Sequence, residues 1–308
     1  MNTIKKILAV IDPSKSEQTA LKRSFELAQK SGAKITAFLT IYDFSYEMTT
    51  MLSLDEREAM RNAVINDRIS WINSLIEQYK ETLDIDCKVI WHNRPFESII
   101  QTVLNENYDI VLKGTHEHAT LKSVIFTPTD WHLIRKCPCP VLLIKEHLWP
   151  AKGNIIAAVN ASADDEQHLA LNQRIMNDAK FISNLIDGNL HIVNSFPGTP
   201  VNIAIEIPEF DPTQFNETVK VHHTQACHEL AQQHDIPQSQ CHIKEGLPED
   251  IIPIIANELD AELIVMGTIG RTGLSAALIG NTAEHVIDSL NCDVLALKPD
   301  GYISPLAK

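Results

Sequence analysis

Short apolar runs separated by amphipathic stretches set the rhythm of this chain. Ile7-Leu8-Ala9-Val10-Ile11 is uninterrupted by polar residues, and from Thr19 to Ser31 the spacing puts Leu21, Ser24, Phe25, Leu27 and Ala28 on one side of a helix. Gly32 follows, where a helix can end in the left-handed conformation at little cost. Further strands are predicted at Ile35 to Leu39, Ile85 to Ile90, Ile110 to Leu112 and Val141 to Ile144, with helices from about Leu54 to Tyr79 and from Pro95 to Leu104. Runs with no alternating polar face belong to strands covered on both sides, which is the signature of a mainly parallel sheet joined by right-handed helical crossovers.

The same plan is written twice. Lys6 to Ile11 followed by Asp12-Pro13-Ser14 matches Asn154 to Val159 followed by Asn160-Ala161-Ser162 at an offset of 148. Asp109-Ile110-Val111-Leu112-Lys113-Gly114-Thr115 matches Glu262-Leu263-Ile264-Val265-Met266-Gly267-Thr268 at an offset of 153, as does Arg94 to Ile100 with Leu247 to Pro253. A period of half the chain means a duplicated domain rather than a solenoid unit. The expected domains are residues 1–147 and 153–308, each an α/β unit with a five-stranded, mainly parallel sheet and helices on both faces. The second copy predicts helices at Glu166 to Leu185, Thr213 to Gln233, Pro248 to Glu258 and Ala276 to Leu290, and strands at Leu190 to Val193, Leu263 to Met266 and Val294 to Lys298. The stretch Lys145 to Gly153 reads as a short linker favouring a closely associated pair.

Composition narrows the function. With 308 residues and 44% hydrophobic content the chain can fill two cores. A formal charge of −14 disfavours direct binding to nucleic acid or to anionic membranes. No leader pattern and no apolar run long enough to span a bilayer is present, so a cytoplasmic protein is expected. The 6 cysteines, Cys87, Cys137, Cys139, Cys227, Cys241 and Cys292, are too sparse for a disulfide scaffold and read as reduced thiols.

The candidate chemistry lies in Gly267-Thr268-Ile269-Gly270-Arg271-Thr272-Gly273 and Gly280-Asn281-Thr282, after an apolar strand and before a helix. Glycines at a strand exit let the backbone approach a phosphate, and free amides at a turn or helix start can donate to anionic oxygens. Glycines as plain turn and cap residues are the competing reading. The pattern is neither a P-loop nor a dinucleotide fingerprint.

These residues, with the duplicated domain around them, resemble the universal stress protein A superfamily in its tandem form, over essentially the whole chain. The nucleotide-binding members carry glycine, two residues, glycine, nine residues, glycine, then serine or threonine. Here Gly267, Gly270 and Gly280 match, with Asn281 in the last place and Thr282 beside it. The resemblance implies a fold like the adenine-nucleotide α-hydrolases, with Val159 and Asn160 near base and sugar, the glycine loops and Arg271 near phosphates, and ATP or another phosphate-containing ligand as cofactor. In the first domain Asp12 is retained, but Glu117 stands where Gly270 does and Thr127-Pro128 replaces Gly280-Asn281, which removes a donor and adds negative charge.

The resemblance also implies pairing of last strands, here Val141 to Ile144 with Val294 to Lys298 within one chain, and leaves a homodimer open. The regulatory protein partner is unspecified. Metal ligation by zinc is weighed at His223 and Cys227, one turn apart on a predicted helix, with Cys241 and His242, and at His116, His118, His132, Cys137 and Cys139. Ordinary caps and core thiols are the alternative. No residue set is assigned to catalysis. The expected function is ligand-dependent stress adaptation through conformation or partners. Three alternatives stand beside it: a carrier of a partly apolar phosphorylated metabolite walled by Ile41 to Met51 and Val201 to Ile207, a slow magnesium- or zinc-assisted ATPase, and a ligand-free adaptor.

Overall fold

The computed structural model describes residues 3–47, 52–117, 124–145, 147–199, 211–268 and 280–307. The chain divides into two compact units, Thr3–Glu146 with Ile303–Lys308, and His147–Tyr302. The last residues therefore group with the first unit rather than ending the second, and Gln101 donates its side-chain amide to the Leu306 carbonyl at 2.9 Å.

In the first unit, β1 (Lys6–Val10), α1 (Thr19–Ser31), β2 (Lys34–Ile41), α2 (Phe44–Glu47), α3 (Leu54–Ile76), β3 (Ile85–Trp91), α4 (Pro95–Glu106), β4 (Ile110–Gly114), β5 (His116–Glu117), β6 (Val124–Ile125), α5 (Pro128–Lys136) and β7 (Val141–Ile144) follow in order. The parallel sheet runs β3-β2-β1-β4-β7, while β5 and β6 form a separate antiparallel pair. Ile7, Leu8, Ala9, Val111 and Leu112 are wholly buried, as the unbroken apolar runs require. Gly32 closes α1 at φ 72°, and α3 opens on a capping box between Ser53 and Glu56. The predicted helix to Tyr79 ends instead at Ile76 and tightens into a 3-10 turn, Glu77–Tyr79.

In the second unit, β8 (Asn154–Ala158), α6 (Glu166–Ile186), β9 (Asn189–Phe196), α7 (Pro212–Gln233), β10 (Cys241–Glu245), α8 (Pro248–Glu258), β11 (Ala261–Gly267), α9 (Asn281–Ser289) and β12 (Asp293–Leu297) build a parallel sheet ordered β10-β9-β8-β11-β12. Strand β10 corrects the sequence reading, which left residues 234–247 without a strand. Its Cys-His-Ile-Lys-Glu composition is that of an edge strand with half-exposed residues, so it lacks the apolar run of the central strands. The helix expected from Ala276 is present from Asn281, and residues 276–279 lie outside the described part.

The linker is held by the second unit. Trp149 donates its indole N–H to Asp293 Oδ2 at 3.0 Å, and His147 lies 3.1 Å from Glu262 Oε2. The aromatic insert after β2 covers an outer strand, with Tyr42 and Tyr46 against Trp91 at ring-centroid distances of 6.1 and 5.3 Å. The second insert, Val201 to Ile207, lies outside the described residues.

Candidate functional site at the strand exits

In both units the first strand has its successor on one side and the fourth on the other, so the strand order reverses between β8 and β11 and between β1 and β4. Crossover helices leave to opposite faces at such a point, opening a crevice beyond the carboxyl ends of the two strands. Met266 pairs with Ala158 in register, which puts Val159-Asn160 and Gly267-Thr268 side by side at that edge. Gly280 joins them, because its N–H points to the Thr268 carbonyl at 3.4 Å. Val159, Asn160, Gly267 and Gly280 are thus brought together, with Asn281 and the exposed Thr282 opening α9 directly beyond. Gly270 and Arg271 lie outside the described residues.

Gly267 has a packing duty that its place in a glycine motif did not reveal. A Cβ there would sit 2.4 Å from Leu171 Cδ2 on α6, and at Gly114 a Cβ would sit 2.5 Å from Thr19 Oγ1 on α1. Both glycines let the first helix of their unit lie close against the fourth strand, so this glycine serves the fold in each copy.

The loop after β8 is fixed by a buried polar network. Asn172 accepts from Asn160 N–H at 3.2 Å and donates to the Asn160 carbonyl at 2.7 Å. Asn194, 1% exposed at the end of β9, accepts from Ala161 N–H at 2.9 Å and lies 3.0 Å from His223 Nδ1. His223 Nε2 is 3.1 Å from Ser162 Oγ. Burial first, and the neighbouring His222 charge second, lower the pKa of His223, which favours the uncharged imidazole. The first unit has Leu39 at the register position of Asn194 and holds its loop by other means. Asp12 N–H donates to Gln18 Oε1 at 2.9 Å, and Lys15 Nζ reaches the Thr115 carbonyl at 3.0 Å. Sequence reasoning missed Asn172 and Asn194. An asparagine directly after the apolar Ile192-Val193 of β9, where the other copy has a leucine, was the available signal.

The two helix starts that follow the fourth strand differ most. In the first unit Thr127 and Asp130 form a reciprocal capping box: Asp130 Oδ2 accepts from Thr127 N–H at 2.6 Å and from Thr127 Oγ1 at 2.8 Å. The wholly buried Asp130 also pairs with Lys113 Nζ at 2.7 Å, so a carboxylate of the chain itself already occupies this helix start. In the second unit the N-cap of α9 is Gly280, which has no side chain of its own to cap the helix, and Ala283 and Met266 stand where Asp130 and Lys113 do.

The proposed metal ligands separate. His223 belongs to the loop network, while His242 Nε2 lies 3.1 Å from His191 Nδ1, whose Nε2 is 3.3 Å from Asn154 Oδ1. Cys227 is wholly buried on α7, and Cys241 Sγ, at the start of β10, lies 3.9 Å from the Pro237 carbonyl. In the other group, Cys137 and Cys139 have sulfurs 3.6 Å apart before β7, whereas His116 lies beyond the opposite end of β4, and His132 stacks on Phe96 at 4.0 Å. His118 is outside the described residues. Among the described residues, no three His, Cys, Asp or Glu side chains converge as a metal cluster.

The description "Universal stress protein family" matches residues 3–145 and 184–298. The chain belongs to this family. It is 49% identical over 302 residues to universal stress protein E of Escherichia coli K12, covering 97% of this chain and 96% of that one, and 40% identical over 301 residues to the Haemophilus influenzae homologue, covering 96% and 97%. Among solved structures, a Pseudomonas aeruginosa PAO1 protein described as functionally unknown superposes with a TM-score of 0.77 at 31% identity, over 99% of this chain and 96% of that one. A universal stress protein from Archaeoglobus fulgidus shares the fold at a TM-score of 0.60 and 18% identity, over 96% and 97%. Among the described residues no helix is long and apolar enough to cross a membrane.

Proposed function

We propose that this universal stress protein works in the cytoplasm, that its second domain binds a nucleotide or another phosphate-containing ligand, and that the bound state acts through conformation or partners. The first domain binds none. The contrast between the two helix starts carries this reading. A helix N-terminus presents unpaired amides and a partial positive charge that favour an anion. At α5 that position is satisfied by Asp130 and closed by Thr127, whereas α9 begins on Gly280, which has no side chain of its own to cap it, next to Gly267-Thr268 at the switch point.

Binding, rather than turnover, is the activity assigned to this crevice. Transplanting the closed arrangement tests it. Met266→Lys/Gly280→Thr/Ala283→Asp copies Lys113, Thr127 and Asp130 into the second domain. Calorimetric titration of the full chain with ATP is expected to give one site per chain, weakened at least about tenfold in the triple variant. Two equivalent sites, or undiminished affinity in a variant with native circular dichroism, would contradict the reading.

A further inference from the structure

A polar ladder crosses the amino ends of three neighbouring strands in the second domain, at the end of the sheet opposite to the crevice. Asn154 opens β8, His191 lies near the start of β9 and His242 near the start of β10. The register pairs Ile156 with His191 and Val193 with His242, so the side chains of Asn154, His191 and His242 share one face. Helix α8 covers that face, because Asn154 donates its amide to the carbonyl of Leu259, the C-cap of α8, at 2.6 Å. His191 Nδ1 and His242 Nε2 face each other at 3.1 Å, and both residues are half-exposed. We infer that His191 and His242 chelate a divalent transition ion of the zinc, nickel and copper class through these two nitrogens, with water completing its shell.

Asn154 fixes the tautomer such a site needs. Its amide nitrogen is committed to Leu259, so its Oδ1 accepts from His191 Nε2–H at 3.3 Å. His191 therefore carries its hydrogen on Nε2 and turns a lone pair at Nδ1 toward His242. A ligating histidine characteristically donates its other N–H to an outer acceptor of this kind, which orients the ring. The spacing fits as well. Two metal–nitrogen bonds of about 2.0–2.1 Å, at angles of about 90–109°, put the nitrogens about 2.8–3.4 Å apart. Before binding, His242 Nε2–H donates to the His191 lone pair; on binding, that hydrogen passes through solvent to His242 Nδ1, and no net proton is lost.

The surroundings favour an ion here and disfavour one in the first domain. Burial is the first cause lowering the pKa of both histidines, with the His242 charge second for His191 and Lys244 second for His242, while Glu258 acts oppositely on His242. The uncharged imidazoles this favours are the form that coordinates metal. The C-terminus of α8, beside the pair, presents carbonyls that suit a cation. At the three corresponding positions the first domain has Lys6, Thr36 and Lys88, and the Thr36 hydroxyl accepts from Tyr108. The site is independent of the ligand proposed for the crevice.

The full chain, kept reduced with a phosphine, is titrated with Zn2+, which is redox-inert. Calorimetry is expected to give one ion per chain, and the imidazole nitrogen spectrum to show His191 Nδ1 and His242 Nε2 shifted together. His191→Gln and His242→Gln should each abolish the saturable step. Asn154→Ala, which leaves both ligands in place, should weaken it by about 10–100-fold. Cys139→Ser should bind as the wild type does. A native circular dichroism spectrum qualifies each variant, and the wild-type nitrogen spectrum decides the matter if the histidine variants do not fold. Absence of saturable binding, shifts confined to other imidazoles, or undiminished affinity in the histidine variants overturns the inference. So does loss of binding in Cys139→Ser, which would assign the ion to Cys137 and Cys139.

Discussion

Replacing Lys113 by methionine removes the cation from a carboxylate that water does not reach. The Asp130 side chain is 0% exposed and that of Lys113 only 11%, so solvent screens this pair far less than a surface pair. Removing one partner of a buried pair costs about 3–5 kcal/mol. Asp130 keeps two hydrogen bonds from Thr127, which puts the expected loss near the lower end, about 3 kcal/mol. The second domain shows what restores the balance, because Met266 and Ala283 occupy the same two places. Lys113→Met/Asp130→Ala should therefore lose only the cap, about 1 kcal/mol. The second substitution should thus recover about 2 kcal/mol of the loss caused by the first. A chain of two units is not expected to unfold in one step, so the assay is native-state amide exchange along α5. The single variant should raise opening by a factor on the order of 100 and the double variant by about 5. Equal losses in the two variants would refute the buried-pair account.

Three further outcomes follow from the same geometry. Gly267→Ala should destabilise the second domain by about 1–3 kcal/mol in urea unfolding, because its Cβ collides with Leu171, and adding Leu171→Ala should recover part of that loss. Asn194→Leu should cost about 1–3 kcal/mol and raise exchange at the Ala161 amide, which loses its acceptor. Burial is the first cause lowering His191, His223, His234 and His242, so in this window the unfolded state binds more protons. Their contribution is present above about pH 6.5 and is lost as pH falls through their lower folded values. The second domain should accordingly lose stability between pH 7.5 and 5.5 more steeply than the first, where His132 alone is shifted this way among the described residues, and His223→Gln should flatten the slope.

The central strands were legible because burial on both faces leaves unbroken apolar runs such as Ile155 to Ala158. Strand β10 was not, since an edge strand mixes Cys241, His242 and Lys244 with Ile243 and carries no such run. The glycine positions of the site could be read from the repeat. What they do could not: Gly267 answers to Leu171, a partner only the fold supplies. The closure of the first domain was half visible, with a lysine ending the apolar run Ile110 to Leu112 and an aspartate three residues after Thr127. Only the structure joins them. His223 and Cys227 share a helix face as their spacing required, yet His223 turned to Asn194 and Ser162 while Cys227 is packed in the core, because tertiary neighbours rather than spacing choose partners.

The most direct measurement is amide exchange at the first turn of each of the two helix starts, with and without ATP. The account predicts added protection over Asn281, Thr282 and Ala283, and no change over Thr129, Asp130 and Trp131. Protection at α5, or none at α9 with ATP demonstrably bound elsewhere on the chain, would contradict it.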